Sequence, residues 1–182
     1  EMANARLYPF WGRLSDALRT GQPQNELKDG GHSMFETLYQ EPKRLEQFVS
    51  AMSGLSACNF ALLAERFDFG RFTTLADIGG ASGQLACVVA RRYPHLRCAT
   101  LDLPAVCRIA EGHIVRAGLA GQVHARPIDF LTDPFPTADV ITMGMILHDW
   151  DLDTKRLLIR KAFEAIPAGG CLIAVDNLID DD

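Results

Sequence analysis

Leu75-Ala76-Asp77-Ile78-Gly79-Gly80-Ala81-Ser82-Gly83 is the stretch that decides the fold. A short apolar run of β type meets a cluster of small residues, and a helical stretch from Gln84 to Tyr93 follows, ended by Pro94. Strand, glycine turn and helix open a parallel-sheet unit. The alternation then continues. Arg97 to Leu101 reads as a second strand, closed by Asp102-Leu103-Pro104. Ala105 to Ala117 reads as a helix with Val106, Ile109, Ala110 and Ile114 at helical spacing, and Gly118 lies where a left-handed cap wants glycine. Gln122 to Ile128 is a weaker third strand leading into Asp129-Phe130, and Asp139 to Met143 is a fourth of buried type. Lys155 to Ile166 is an amphipathic helix, with Leu158, Ile159, Ala162, Phe163 and Ile166 on one stripe and Arg156, Arg160, Lys161 and Glu164 away from it. After Pro167-Ala168-Gly169-Gly170, Cys171 to Val175 is the fifth strand. Residues 71–182 are therefore expected to form a Rossmann-like, doubly wound, mostly parallel α/β sheet.

Residues 1–70 carry no strand signal. They hold helical pieces around Trp11 to Leu18, Met34 to Tyr39 and Leu45 to Phe67, separated by turn-rich segments, and read as a helical lead-in facing the substrate. Of 182 residues, 48% are hydrophobic and 23% charged, with a net charge of -5. That balance excludes disorder and argues against a nucleic-acid partner, which needs a basic stripe. No run of about 18 apolar residues is present in the sequence, so no membrane span is expected. The cysteines Cys58, Cys87, Cys98, Cys107 and Cys171 are odd in number and lack C-x-x-C spacing. Buried free thiols in a cytoplasmic protein are the expectation. No metal site is expected either, because His148, Asp149 and Asp151 have no second histidine nearby.

In a doubly wound sheet the ligand sits beyond the carboxyl ends of the strands. The glycine loop occupies that edge. A dinucleotide fingerprint starting at Gly79 would need glycine in place of Ala81 and Gly or Ala in place of Gln84, so a nicotinamide site is disfavoured. A glycine turn alone also serves tight packing. Asp102 ends the second strand, 25 residues after Asp77, where a carboxylate accepts the hydroxyls of a ribose. Asp129 ends the third strand beside Phe130, which suits a stacked purine. Each acid alone is more often a turn or cap residue; three at successive strand ends favour a nucleoside without phosphates. After the fourth strand comes Ile146-Leu147-His148-Asp149-Trp150-Asp151. His148 is the one histidine placed on a ligand-facing loop, either as a base or as a loop lock, whereas Asp151 reads as a helix N-cap.

These segments, above all Leu147-His148-Asp149-Trp150, resemble class I S-adenosylmethionine-dependent O-methyltransferases of the caffeate and acetylserotonin kind, with bacterial relatives acting on pigments and polyketide-like products. Phe48-Val49-Ser50-Ala51-Met52-Ser53 is similar to the family's F-x-x-A-M-S segment. The resemblance implies S-adenosylmethionine as cofactor and methyl transfer to a hydroxyl of a small acceptor. It sets Gly79 against the cofactor, Asp102 on the ribose, Asp129 and Phe130 at the adenine, and Ser56 near the methionine carboxylate. It implies His148 as general base, with Asp176 where many members have glutamate to orient it. Phe48, Met52 and Asp149 fall on the acceptor side, and Phe10, Trp11 and Phe35 suggest further aromatic lining. Ala81 departs from the family's middle glycine, Ile128 from its glycine before Asp129, and Gly144 from a lysine of the plant members. Other chemistry on the same fold (decarboxylation or hydroxylation) and a non-catalytic adenosyl-binding domain are the alternatives. Because the superfamily sheet has seven strands, the chain is expected to be truncated at both ends, and the family's homodimer is expected to form through N-terminal helices that are missing here.

Overall fold

Asp139 fixes where the sheet begins. Its Oδ2 accepts hydrogen bonds from the Thr73 backbone N–H at 2.8 Å, the Thr73 hydroxyl at 2.8 Å and the Thr74 N–H at 3.0 Å, while its own N–H donates to Thr74 Oγ1 at 2.9 Å. These four bonds tie the start of one strand to the start of another 65 residues later, and the donors hold the Asp139 carboxyl below its ordinary range. The register Leu75↔Val140 follows from this clamp.

The computed structural model describes residues 8–22, 24 and 41–177. Helices α1 (Tyr8–Trp11), α2 (Leu14–Thr20) and α3 (Pro42–Arg66) precede the sheet. Then β1 (Thr74–Ile78), α4 (Gln84–Arg92), β2 (Arg97–Asp102), α5 (Pro104–Arg116), β3 (Val123–Pro127), β4 (Val140–Gly144), α6 (Leu152–Ala165) and β5 (Cys171–Val175) alternate. The five strands are all parallel, in the order β3-β2-β1-β4-β5, so the winding reverses between β1 and β4. Two compact units result, residues 1–52 and 53–182, and α3 runs continuously through the boundary. The expected helix at Met34 to Tyr39, with Phe35 in it, lies outside the described residues.

The central strands β1 and β4 bury both faces, which is why they read as continuous apolar runs, whereas β3 and β5 at the two ends of the sheet are more exposed. On one face Leu75, Cys98, Val123 and Val140 pack with Phe60 and Ala64 of α3, Leu85 and Val89 of α4 and Ile114 of α5. On the other, Ala76, Ile141 and Met143 pack with Leu158, Ala162 and Ala165 of α6. The stripe expected on α6 is therefore corrected. Its core contacts follow Leu158, Ala162 and Ala165, whereas Ile159 and Phe163 are exposed on this chain. The helix also starts earlier than expected, at Leu152, because Asp151 accepts from the Thr154 N–H at 2.8 Å as its N-cap. Helix α3 is long and apolar enough, by length and composition, to cross a membrane. Its serines and its burial of Phe60 and Ala64 in the sheet core suit a helix of a folded domain better. All five cysteines are free; Cys87, Cys98 and Cys107 are buried as expected, but Cys58 is exposed.

Asp77 is buried at the centre of this sheet. Thr142 on β4 donates its hydroxyl to Asp77 Oδ1 at 2.7 Å, and Gly80 lies over Asp77 Oδ2 and Thr100 Oγ1, so that a Cβ at position 80 would run into both. Thr100 Oγ1 is buried with no hydrogen-bond partner among the described residues. Gly80→Ala is expected to cost about 1–3 kcal/mol through this overpacking, read as a lowered midpoint in chemical denaturation. An unchanged midpoint would mean that the turn is free to move. Burial pushes the Asp77 carboxyl from 3.8 up to about 7, opposed by the Thr142 hydroxyl and reinforced by Asp102. The folded state thus holds this proton more tightly than the unfolded chain does. The corresponding stability is complete below the unfolded pKa and is lost as pH rises through about 7. Asp77→Asn keeps the acceptor for Thr142 and sets an amide near the unpartnered Thr100 hydroxyl. It is expected to flatten the fall in stability between pH 4 and 7 seen in denaturation curves, and an unaltered slope would contradict the buried acid.

Candidate functional site

The loops that leave the carboxyl ends of the strands meet around the reversal between β1 and β4. After β1 the chain turns through left-handed φ values at Gly79 (67°), Ala81 (49°) and Gly83 (72°). The Gly79 N–H donates to Leu101 O at 2.7 Å, which pins the turn to β2. Ala81 bears its left-handed geometry despite a Cβ, and its N–H donates to Asp102 Oδ2 at 3.0 Å. The other oxygen of Asp102 accepts from the Leu103 N–H at 2.8 Å. Burial pushes the Asp102 carboxyl up to about 6, against the pull of these two donors. It is mostly ionised at neutral pH, and each oxygen keeps a lone pair for a ligand hydroxyl.

Asp129 follows β3 in a tight turn. Its Oδ1 accepts from the Leu131 N–H at 3.0 Å, and its own N–H donates to Asp133 Oδ2 at 2.9 Å. The Phe130 ring stands edge-on to Trp150, with centroids 5.8 Å apart, and reaches the position a Gly79 side chain would take, together with Ile146. Glycine at position 79 is favoured by its left-handed φ, and a Cβ there would also push aside the tip of Ile146 while only touching the Phe130 ring. The strand-end acids Asp77, Asp102 and Asp129 and the ring of Phe130 come to one edge, as the sequence implies.

Beyond β4 the chain reverses at Met145, a non-glycine residue at φ 59° whose N–H donates to Val175 O at 2.8 Å. Such a conformation costs about 1–2 kcal/mol per residue, and it clusters at functional sites. It directs Leu147–Asp149 into a single 3-10 turn, which carries His148 to the end of β5. There His148 Nδ1 lies 2.5 Å from Asp176 Oδ1, and Nε2 lies 3.3 Å from Asp149 Oδ1. Asp149 is held above its ordinary pKa, first by burial and then by Asp176, with His148 opposing. His148, Asp149 and Asp176 are brought together. Phe48 and Met52 lie four residues apart on α3, both half-buried in the first unit, and Trp11 is exposed.

The sequence alone assigns no role to Ser53 or Ser82. Ser53 Oγ on α3 is 2.7 Å from Ser82 Oγ in the glycine loop, whereas Ser56, one turn later, is buried. The signal was present in the F-x-x-A-M-S segment, whose last residue is Ser53. At Gly144 a Cβ would stand 3.0 Å from two atoms of the Phe60 ring, so this ring leaves little room for a side chain there.

The groups at this edge suit an adenosine that carries positive charge and no phosphate. Asp102 forms no salt bridge among the described residues, so the crevice has an acid without a cationic partner beside the aromatic face of Phe130. Gly83, the N-cap of α4, offers no side-chain cap to the N–H groups of that helix's first turn.

Residues 11–182 match the O-methyltransferase domain family. The chain is 36% identical over 173 residues to the N,N-dimethyltransferase OxyT of Streptomyces rimosus, covering 95% of this chain and 50% of that protein. To the tetracenomycin polyketide synthesis 8-O-methyl transferase TcmO of Streptomyces glaucescens it is 35% identical over 181 residues, 100% of this chain and 52% of that one. The structure of human N-acetylserotonin methyltransferase in complex with SAM superposes with a TM-score of 0.87 at 27% identity, covering 99% of this chain and 52% of that chain. The chain spans about half the length of the curated relatives it matches. With its five parallel strands, glycine turn and Leu147-His148-Asp149-Trp150 motif, it belongs to the O-methyltransferase domain family.

Proposed function

We propose that the protein is an S-adenosylmethionine-dependent O-methyltransferase acting on a hydroxyl of a small aromatic or polyketide-like molecule, with His148 as general base. The observation that carries this reading is the His148 Nδ1 to Asp176 Oδ1 contact of 2.5 Å beside a crevice suited to an adenosyl ligand. Donation from Nδ1 to Asp176 selects the tautomer in which Nε2 bears the lone pair. A phenol with pKa near 10 is protonated at neutral pH and is a poor nucleophile. Nε2 takes that proton as the oxygen attacks, and Asp176 stabilises the imidazolium that results. S-adenosylmethionine supplies an electrophilic methyl group on a positively charged sulfur and leaves as the neutral thioether. Asp102 would hold its ribose, Asp129 and Phe130 its adenine, Gly79 the adjoining backbone and Ser56 the methionine end. Phe48, Met52 and Asp149 would face the acceptor. Since Asp149 sits on the Nε2 side, an acceptor hydroxyl has to displace its Oδ1 or share the site with it. The family resemblance further supports a cytoplasmic homodimer, with residues 1–70 as the substrate-facing part and 71–182 as the cofactor core.

The test is methyl transfer from labelled S-adenosylmethionine to a panel of phenols and aromatic amines, by the parent protein and by His148→Gln. Loss of the base is expected to lower the rate on phenols by about 10²–10⁴-fold while S-adenosylhomocysteine still binds. Full activity of the variant on every acceptor would contradict the base. Binding of S-adenosylhomocysteine with no methyl transfer by the parent to any acceptor would favour the adenosyl-binding module or the non-methyl chemistry. Transfer to amines alone would align the chain with the N-methylating relative.

A further inference from the structure

Lys161 lies on the polar side of α6 by sequence periodicity, yet it is half-buried and points beneath the loop that follows β3. Its Nζ donates to the backbone carbonyl of Phe130 at 2.5 Å and stands 4.8 Å from the centroid of the Phe135 ring. Asp129 and Asp133, the two acids of the loop, are its charged neighbours. The loop's other described hydrogen bonds mostly close on themselves. Leu131, Thr132 and Asp133 all donate to Asp129, and Asp129 donates to Asp133. The Lys161 bond is the one that ties the Phe130 peptide to another element. Fixing this carbonyl fixes the direction in which the Phe130 ring leaves the backbone, and that ring is the one set against Gly79 and Trp150.

We propose that Lys161 is a positioning residue for the adenosyl ligand: its ammonium clamps the Phe130 carbonyl from α6, and so holds the aromatic face and the Asp129 carboxylate in the geometry that receives the adenine. The inference rests on the reading of this crevice as an adenosyl site. The ammonium sets a positive charge beside the two acids of the turn, Asp129 and Asp133. The ammonium also satisfies a carbonyl that the loop itself leaves without a donor.

Calorimetric titration with S-adenosylhomocysteine tests it on the parent protein, Lys161→Met and Lys161→Arg. Methionine keeps the unbranched apolar stem that packs toward Phe135 while removing the charge and the donor. Affinity is expected to fall about 5- to 20-fold in Lys161→Met, of the size of one charge-assisted hydrogen bond partly transmitted, and to recover in Lys161→Arg. In steady-state assays the KM for S-adenosylmethionine rises in Lys161→Met and the KM for the phenol does not. If the parent binds S-adenosylhomocysteine and Lys161→Met binds it equally well, the clamp is overturned. If both variants lose affinity alike, or both KM values rise together, Lys161 merely supports the fold and the proposal also fails. If the parent itself does not bind S-adenosylhomocysteine, the fault lies with the adenosyl reading of the crevice.

Discussion

A buried carboxylate beneath a glycine turn is the constraint on which the rest of this structure depends. Asp77 sits at the carboxyl end of the central strand, accepts from Thr142 on one neighbouring strand and lies with Thr100 of the other under Gly80. Any side chain at position 80 would lift the turn, and with it Ala81, whose N–H engages Asp102. A charge is expensive to bury without a partner. The sheet accepts that cost by raising the Asp77 carboxyl to about 7. The result is a turn whose amides are tied to the second strand, Gly79 and Gly80 to Leu101 O and Ala81 to Asp102, at the reversal point of the sheet.

The second device is local strain at the end of β4. Met145 takes a left-handed conformation that an unbranched side chain tolerates poorly, and the next residues coil into one 3-10 turn. A straight continuation of the strand would carry His148 away from β5. The strained reversal instead sets it on Asp176, 28 residues further along the chain. Position and partner of the histidine are thereby fixed by backbone geometry rather than by packing of the imidazole, which is itself substantially exposed.

Much of this was legible in the sequence because it rests on period and punctuation. The strands are short β-type runs marked off by turn residues, and Asp102, Asp129 and Asp176 stand at or just past their ends simply by counting. The Asp151 cap and the His148–Asp176 pair also follow from position once the fold is assigned. What was not legible is tertiary in origin. Nothing local marks Asp139 as the clamp on Thr73 and Thr74, because its partners lie 65 residues away. Helical periodicity sent Lys161 to solvent, since it cannot register that a loop from β3 folds over that side of α6. It sent Phe163 to the core for the complementary reason. Gly144 reads in the sequence only as a departure from a lysine, because the Phe60 ring that crowds it comes from a helix far away in the chain.

The central claim is that one crevice at the carboxyl edge of β1, β2 and β3 receives the adenosyl group and delivers it to the side of the sheet where His148 stands. A crystal structure of the protein soaked with S-adenosylhomocysteine tests it most directly. The account predicts ribose hydroxyls on the two oxygens of Asp102, adenine against Phe130 with its amine toward Asp129, and the sulfur leading toward His148. Adenosyl density bound elsewhere, or a ribose that leaves Asp102 to its backbone partners alone, would contradict it.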